Sequence, residues 1–149
     1  MARKLWVGEP TSFQGRFTQL DEVTISPTPP RADGIPVVVG GNSAPAARRA
    51  GRIGDGWMTV KLDASELAEV IPVMRQAAVE AGRDPDTIEI THGIPPGSDL
   101  YERVLKGCGE LDRFAEAGVS RIVLMPPAMT VQEGPAALEN MAETLLDPR

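Results

Sequence analysis

Residues 35–59, IPVVVGGNSAPAARRAGRIGDGWMT, decide the fold. Pro36-Val37-Val38-Val39 is a short unbroken apolar run, the pattern of a parallel strand covered on both faces. Gly40 and Gly41 end it. Asn42 and Ser43 are good N-cap residues, and Pro45 fits a first helical turn, where a missing N–H loses no intrahelical bond. The spacing predicts a helix from here, with Gly51 and Gly54 bracketing its end, and a second strand entered through Asp55-Gly56-Trp57 and running on through Met58-Thr59-Val60. The unbonded N–H groups of a helix start, beside two glycines that admit close approach, suit a phosphate. A GG-x-S corner is also ordinary strand-to-helix punctuation, and on these residues alone both readings stand.

Downstream the same alternation repeats. Asp63 and Glu66 form a capping box, and Leu67, Val70, Ile71, Met74 and Ala78 recur at helical spacing as far as Gly82, with Pro72 expected to kink the helix. Thr87 to His92 alternates like a strand that ends at Gly93. Helical segments are expected from Leu100 to Leu105 and from Leu111 to Ala117, with Gly118 as terminator. Ile122 to Met125 reads as another buried strand, and a last helix puts Leu138, Met141 and Leu145 on one face. Upstream, Phe13, Phe17 and Leu20 flank Gly15 in a small hairpin whose rings are expected to cover a core, and SPTPPRAD (26–33) is an extended connector. Arg3 to Val7 resembles the tail of an amphipathic helix.

The order is strand then helix four times, the α/β class with parallel strands. An open doubly wound sheet and part of a (β/α)8 barrel both accommodate it. A full barrel needs about 250 residues, and 149 supply about four βα units. A single domain over 1–149 is expected. The formal charge of −6 argues against nucleic acid and anionic membrane surfaces as partners. One cysteine, Cys108, excludes an internal disulfide and a cysteine-built metal site, so no metal is expected. The opening residues lack the apolar core of a signal peptide and no run approaches membrane-spanning length, which points to the cytoplasm.

No paired general acid and base is evident, and no catalytic residue is named. Asp21, Glu22, Glu102, Glu110 and Glu116 read as solvated carboxylates. His92, the only histidine, reads as structural, although it and Tyr101 are the remaining candidates for a proton donor near the strand ends. Lys61 stands just beyond the second strand and is a weak candidate for neutralising a phosphate. Arg48, Arg49 and Arg52 cannot all face one anion, and their outward members are expected to pair with surface carboxylates.

Leu5-Trp6, Phe13-x-Gly15-Arg16-Phe17, Ile35 to Ser43 and Arg49-Ala50-Gly51-Arg52-Ile53-Gly54-Asp55-Gly56-Trp57 together resemble the luciferase-like monooxygenases, in particular the flavin- or deazaflavin-dependent oxidoreductases of that family. The segments Gly82 to Pro85 and Ala117 to Arg121 agree. The resemblance implies the C-terminal half of the family's TIM barrel, with the N-terminal hairpin-like segment added. It implies that the phosphate of FMN or coenzyme F420 is held at Gly40, Gly41, Asn42 and Ser43, while Gly56, Trp57 and Thr59 border the cofactor. It also implies that the residues handling substrate lie mostly in a half absent here, so the isolated chain need hold neither cofactor. A homo-oligomer or a separate N-terminal half is then expected, with a small-molecule substrate. The alternative is a non-catalytic half-barrel that serves binding or assembly.

Overall fold

The computed structural model describes residues 1–31, 34–107, 109–127 and 129–146. Cys108 and the last two connector residues, Ala32 and Asp33, lie outside them. The chain forms two compact units, Met1–Pro36 and Val37–Arg149. In the first, helix α1 (Ala2–Leu5) precedes an antiparallel hairpin of β1 (Thr11–Gln14) and β2 (Gln19–Val23). Phe13 pairs with Leu20, and the Gly15 N–H donates to the Thr18 carbonyl at 2.9 Å across the turn. Phe17 does not cover a core: it is 87% exposed, with the Arg16 guanidinium 4.8 Å above its ring. It falls in the connection between the strands, outside the two-residue alternation that turns a side chain inward.

The second unit contains β3 (Val38–Gly40), α2 (Ala44–Ile53), β4 (Gly56–Val60), α3 (Ala64–Glu80), β5 (Glu89–Ile94), α4 (Asp99–Leu105), α5 (Glu110–Ala117), β6 (Arg121–Leu124) and α6 (Gly134–Leu146). Its four strands are all parallel, in the order β3-β4-β5-β6. This order decides between the two architectures. A doubly wound sheet reverses direction at a switch point, whereas strands added one after another through right-handed crossovers carry every helix on one face. The unit is a four-stranded part of a (β/α)8 barrel.

Register assigns the two sheet faces. Val39, Trp57 and Ile90 form one row, Thr59, His92 and Ile122 the next, and Ile94 and Leu124 the last. These rows meet the helices, and Trp57, Leu67, Met74, Ile90, Ile94 and Phe114 are fully buried there. The opposite face carries Val38-Gly56-Glu89, then Gly40-Met58-Thr91-Arg121, then Val60-Gly93-Val123. The expectation that β3 and β6 are buried on both faces is therefore corrected: Val38 is 55% and Val123 36% exposed. Both strands are edges of the sheet, and a one-sided helix layer covers only one of their faces.

Helix packing adjusts other boundaries. Helix α2 ends at Ile53, between Gly51 and Gly54; Gly51 is buried inside it, and a Cβ there would stand 2.3 Å from the Met74 carbonyl oxygen. The glycine is where α2 crosses α3. Gly54 is the C-cap, and the Arg83 guanidinium donates to the Gly51 and Gly54 carbonyls at 2.6 Å each, satisfying groups that a helix end leaves unpaired. In α3 the Asp63–Glu66 capping box forms, and one continuous helix runs through Pro72. Strand β5 begins only at Glu89, because Asp84 and Pro85 start a 3-10 turn over Pro85–Thr87, and it continues past Gly93 to Ile94. In α6, Met141 and Leu145 pack on the core while Leu138 is 53% exposed, because only the second half of the helix reaches the core. Glu110 is not solvated: it is 5% exposed, with Arg103 Nε at 3.0 Å and Arg113 Nη1 at 3.2 Å.

Candidate functional site

The corner between β3 and α2 lies at the C-terminal edge of the parallel sheet, where α/β folds hold ligands. Gly41 makes the turn with φ of +125°, a conformation that side chains with a Cβ rarely adopt. Its N–H donates to the Met58 carbonyl at 3.0 Å, and its carbonyl accepts the Trp57 indole N–H at 2.8 Å. Asn42 does not cap the helix. Its side-chain amide donates to the Val60 carbonyl at 2.7 Å and accepts the Val60 N–H at 3.1 Å, so its carboxamide pairs with β4 as a strand residue would. Ser43 is the cap, its Oγ accepting the Ala46 N–H at 3.4 Å.

Once these bonds are counted, the N–H groups of Asn42, Ser43 and Ala44 have no partner among the described residues. They stand together at the positive end of α2. A Cβ built on Gly40 meets nothing within 4 Å, so the approach to them is open. Three unpartnered donors in sequence, a helix dipole and free access fit a phosphate or another anion. Arg49 extends toward the same place, its Nη2 3.5 Å from the Gly40 carbonyl. Contrary to expectation, Arg48, Arg49 and Arg52 form no ion pair among the described residues.

The remaining sequence-predicted positions divide. Gly56 opens β4, paired with Val38 and Glu89, at the other end of the strand from the corner. Trp57 and Thr59 are fully buried on the helix side of the sheet, so Trp57 reaches the corner only through its indole N–H. Lys61 is exposed with φ of +61°, and its backbone N–H donates to the Gly93 carbonyl at 3.2 Å. On the uncovered face, a Cβ at Gly93 would come within 3.0 Å of both Val60 Cγ1 and Met125 Cε and within 3.5 Å of Met58 Cε. Those three side chains form an apolar floor beside the corner. The sequence signals for it were Met58 and Val60, each two residues from its like-facing neighbour along β4.

His92 is withdrawn as a proton donor at the strand ends. It is fully buried, its Nδ1 2.7 Å from Thr59 Oγ1 and its ring stacked on Phe114 at 5.1 Å, and Nε2 has no hydrogen-bond partner among the described residues. Burial lowers its pKa from the ordinary histidine value, with a partial offset from the Leu62 backbone. Tyr101 is 4% exposed and donates to Met141 Sδ at 3.7 Å. Burial, and then the Glu102 carboxylate, raise the pKa of its phenol.

Residues 1–98 match the family of luciferase-like monooxygenases. The chain belongs to that family. Among curated luciferase-like relatives, an F420-dependent glucose-6-phosphate dehydrogenase of Nakamurella multipartita is 29% identical over 97% of this chain and 41% of its own length. An F420-dependent hydroxymycolic acid dehydrogenase of Mycobacterium tuberculosis is 36% identical over 59% of this chain and 24% of its own. The chain thus spans less than half the length of these relatives. Among solved structures, an F420-dependent secondary alcohol dehydrogenase holding an F420-acetone adduct superposes with a TM-score of 0.73 at 23% identity, over 96% of this chain and 58% of that one. The coenzyme F420-dependent tetrahydromethanopterin reductase of Methanopyrus kandleri gives 0.74 at 13%, over 97% and 60%. At these identities the two structures establish the shared fold. No helix among the described residues is long and apolar enough to cross a membrane.

Proposed function

We propose that this chain supplies the cofactor-phosphate half of the site of an F420-dependent oxidoreductase. The observation that carries the reading is the set of three unpartnered N–H groups at Asn42, Ser43 and Ala44, in a family whose curated relatives are named as F420-dependent. When bound, such a cofactor supplies hydride chemistry from its ring. The chain's own contribution is to hold the anionic end by the corner's backbone, to leave room for it at Gly40, and to offer Met58, Val60 and Met125 as an apolar surface for a flat ring. The side chains of Asn42 and Trp57 keep the corner's backbone in place rather than touching the ligand. A separate N-terminal half or a second copy completes the barrel, in the cytoplasm, around a small-molecule substrate.

Gly40 is the position at which to test this. A valine at Gly41 would strain a φ of +125° and confuse blocking with misfolding, whereas Gly40 has ordinary backbone and open space. Fluorescence titration with F420, FMN and inorganic phosphate is expected to show F420 binding that Gly40→Val weakens at least tenfold with the melting temperature unchanged. Tighter binding of FMN would reassign the cofactor. Equal F420 affinity in the valine protein would remove the corner from the site and leave the reading of a half-barrel that serves binding or assembly.

A further inference from the structure

A cavity of about 600 Å³ lies between α4 and α6, in the size range of small-molecule sites, roughly 300–1,000 Å³. It is open to solvent and is bordered also by Pro96, which follows β5, and Pro127, which follows β6. The gap exists because α6 presents Ala136 and Ala137, too small to fill the space in front of Tyr101 and Leu105 on α4. Two polar groups in it are incompletely used. The Tyr101 hydroxyl spends its proton on the Met141 thioether, a weak acceptor, and its oxygen lone pairs accept nothing among the described residues. Asn140 Oδ1 accepts from Thr144 Oγ1 at 3.5 Å, while its Nδ2 has no partner there. Among the described residues no basic side chain lines the cavity, the two prolines bring no N–H, and Glu102 is part of its lining.

We propose that this cavity is a binding site for a small neutral apolar molecule carrying a hydroxyl group. The apolar body fills the space over Leu105, Ala137 and Met141, and the hydroxyl donates to Tyr101 Oη or accepts from Asn140 Nδ2. An anion finds no counter-charge and meets the Glu102 carboxylate. Burial and Glu102 both keep the phenol protonated at neutral pH, so no charge develops beside the ligand. The proposal stands apart from the reading of the β3–α2 corner and does not need a bound cofactor.

The test uses the full chain with ¹³C-labelled methionine methyls, titrated with cyclohexanol, hexanoate and glucose 6-phosphate. Cyclohexanol is expected to move the Met141 methyl resonance saturably, with hexanoate and glucose 6-phosphate at least tenfold weaker. Ala136 is exposed on its helix, so Ala136→Leu fills the cavity mouth without disturbing the fold and is expected to weaken cyclohexanol at least tenfold; Tyr101→Phe is expected to weaken it about threefold. An unsaturable Met141 response, an unchanged affinity in Ala136→Leu, or equal binding of the anions would each overturn the proposal. Failure of F420 to bind would leave it untouched, because the probe and the resonance report on α4 and α6 alone.

Discussion

At the scale of single residues, His92 shows how a polar group can be conspicuous in sequence and silent in chemistry. As the one histidine, near a strand end, it invites a catalytic role, yet the pleat turns it onto the helix side between Thr59 and Phe114. Its lowered pKa has a consequence for stability instead. The folded state resists the proton, so the unfolded chain binds it first, near the ordinary value of about 6.5. Stability is then full above that pH and falls as pH drops below it. Urea melts at pH 7.5 and 5.5 are expected to show this loss, and His92→Phe, which keeps the stack on Phe114 without a titrating group, is expected to flatten it. An identical slope in the two proteins would show that His92 does not report on folding. Asn42 is the reverse case. It looks like a second cap residue, but its two bonds to Val60 make it the tie between the corner and β4.

At the scale of elements, the α2–α3 crossing rests on Gly51. An alanine there adds one carbon where the Met74 carbonyl oxygen already stands at 2.3 Å and the Ala78 nitrogen at 2.9 Å, and backbone cannot yield as a flexible side chain does. Gly51→Ala is expected to cost about 3 kcal/mol, measured by chemical denaturation, while Gly40→Ala, with open space, should change stability by less than about 0.5 kcal/mol. Equal costs would mean that the helices slide apart freely. The sequence announced helix termini well, because caps act locally: Ser43, the Asp63–Glu66 box and Gly118 all sit where local chemistry placed them. Gly51 and Gly54 do bracket the end of α2, but that Gly51 also serves the crossing was not legible, because a glycine needed for close approach between helices looks the same as one that marks a helix end. Strand burial was misread at β3 and β6 for a related reason. An apolar run reports affinity for a buried place, but whether a strand is an edge depends on which strands flank it. The strand-to-helix corner was legible from GG-x-S and Pro45, with a phosphate and plain punctuation both open; the three unpartnered N–H groups became countable only once the Asn42, Trp57 and Ser43 bonds were known.

At the scale of the molecule, the sheet itself is incomplete as a barrel. Strands β3 and β6 are each paired on one side only within the four-stranded sheet, and the face away from the helices carries Val38, Met58, Val60, Val123 and Met125 around the Glu89–Arg121 ion pair. Unpaired parallel edges template the addition of further strands, and an apolar sheet face favours a partner that removes it from water. Closure needs eight strands, so a second set of four joined at both edges completes the ring with no edge left over, and a two-fold axis along the barrel makes both junctions identical. The chain of residues 1–149 is therefore expected to self-associate, with sedimentation velocity showing a dimer across the micromolar range. Val123 lies on the β6 edge and is already 36% exposed, so Val123→Lys leaves the helix-side core intact while placing a charge on the proposed inner face. It is expected to shift the protein to monomer with little change in the monomer's helical circular dichroism. A wild-type chain that sediments as monomer at tens of micromolar, or a lysine variant that dimerises as tightly as the parent, would show that the edges and the apolar face are covered within one chain.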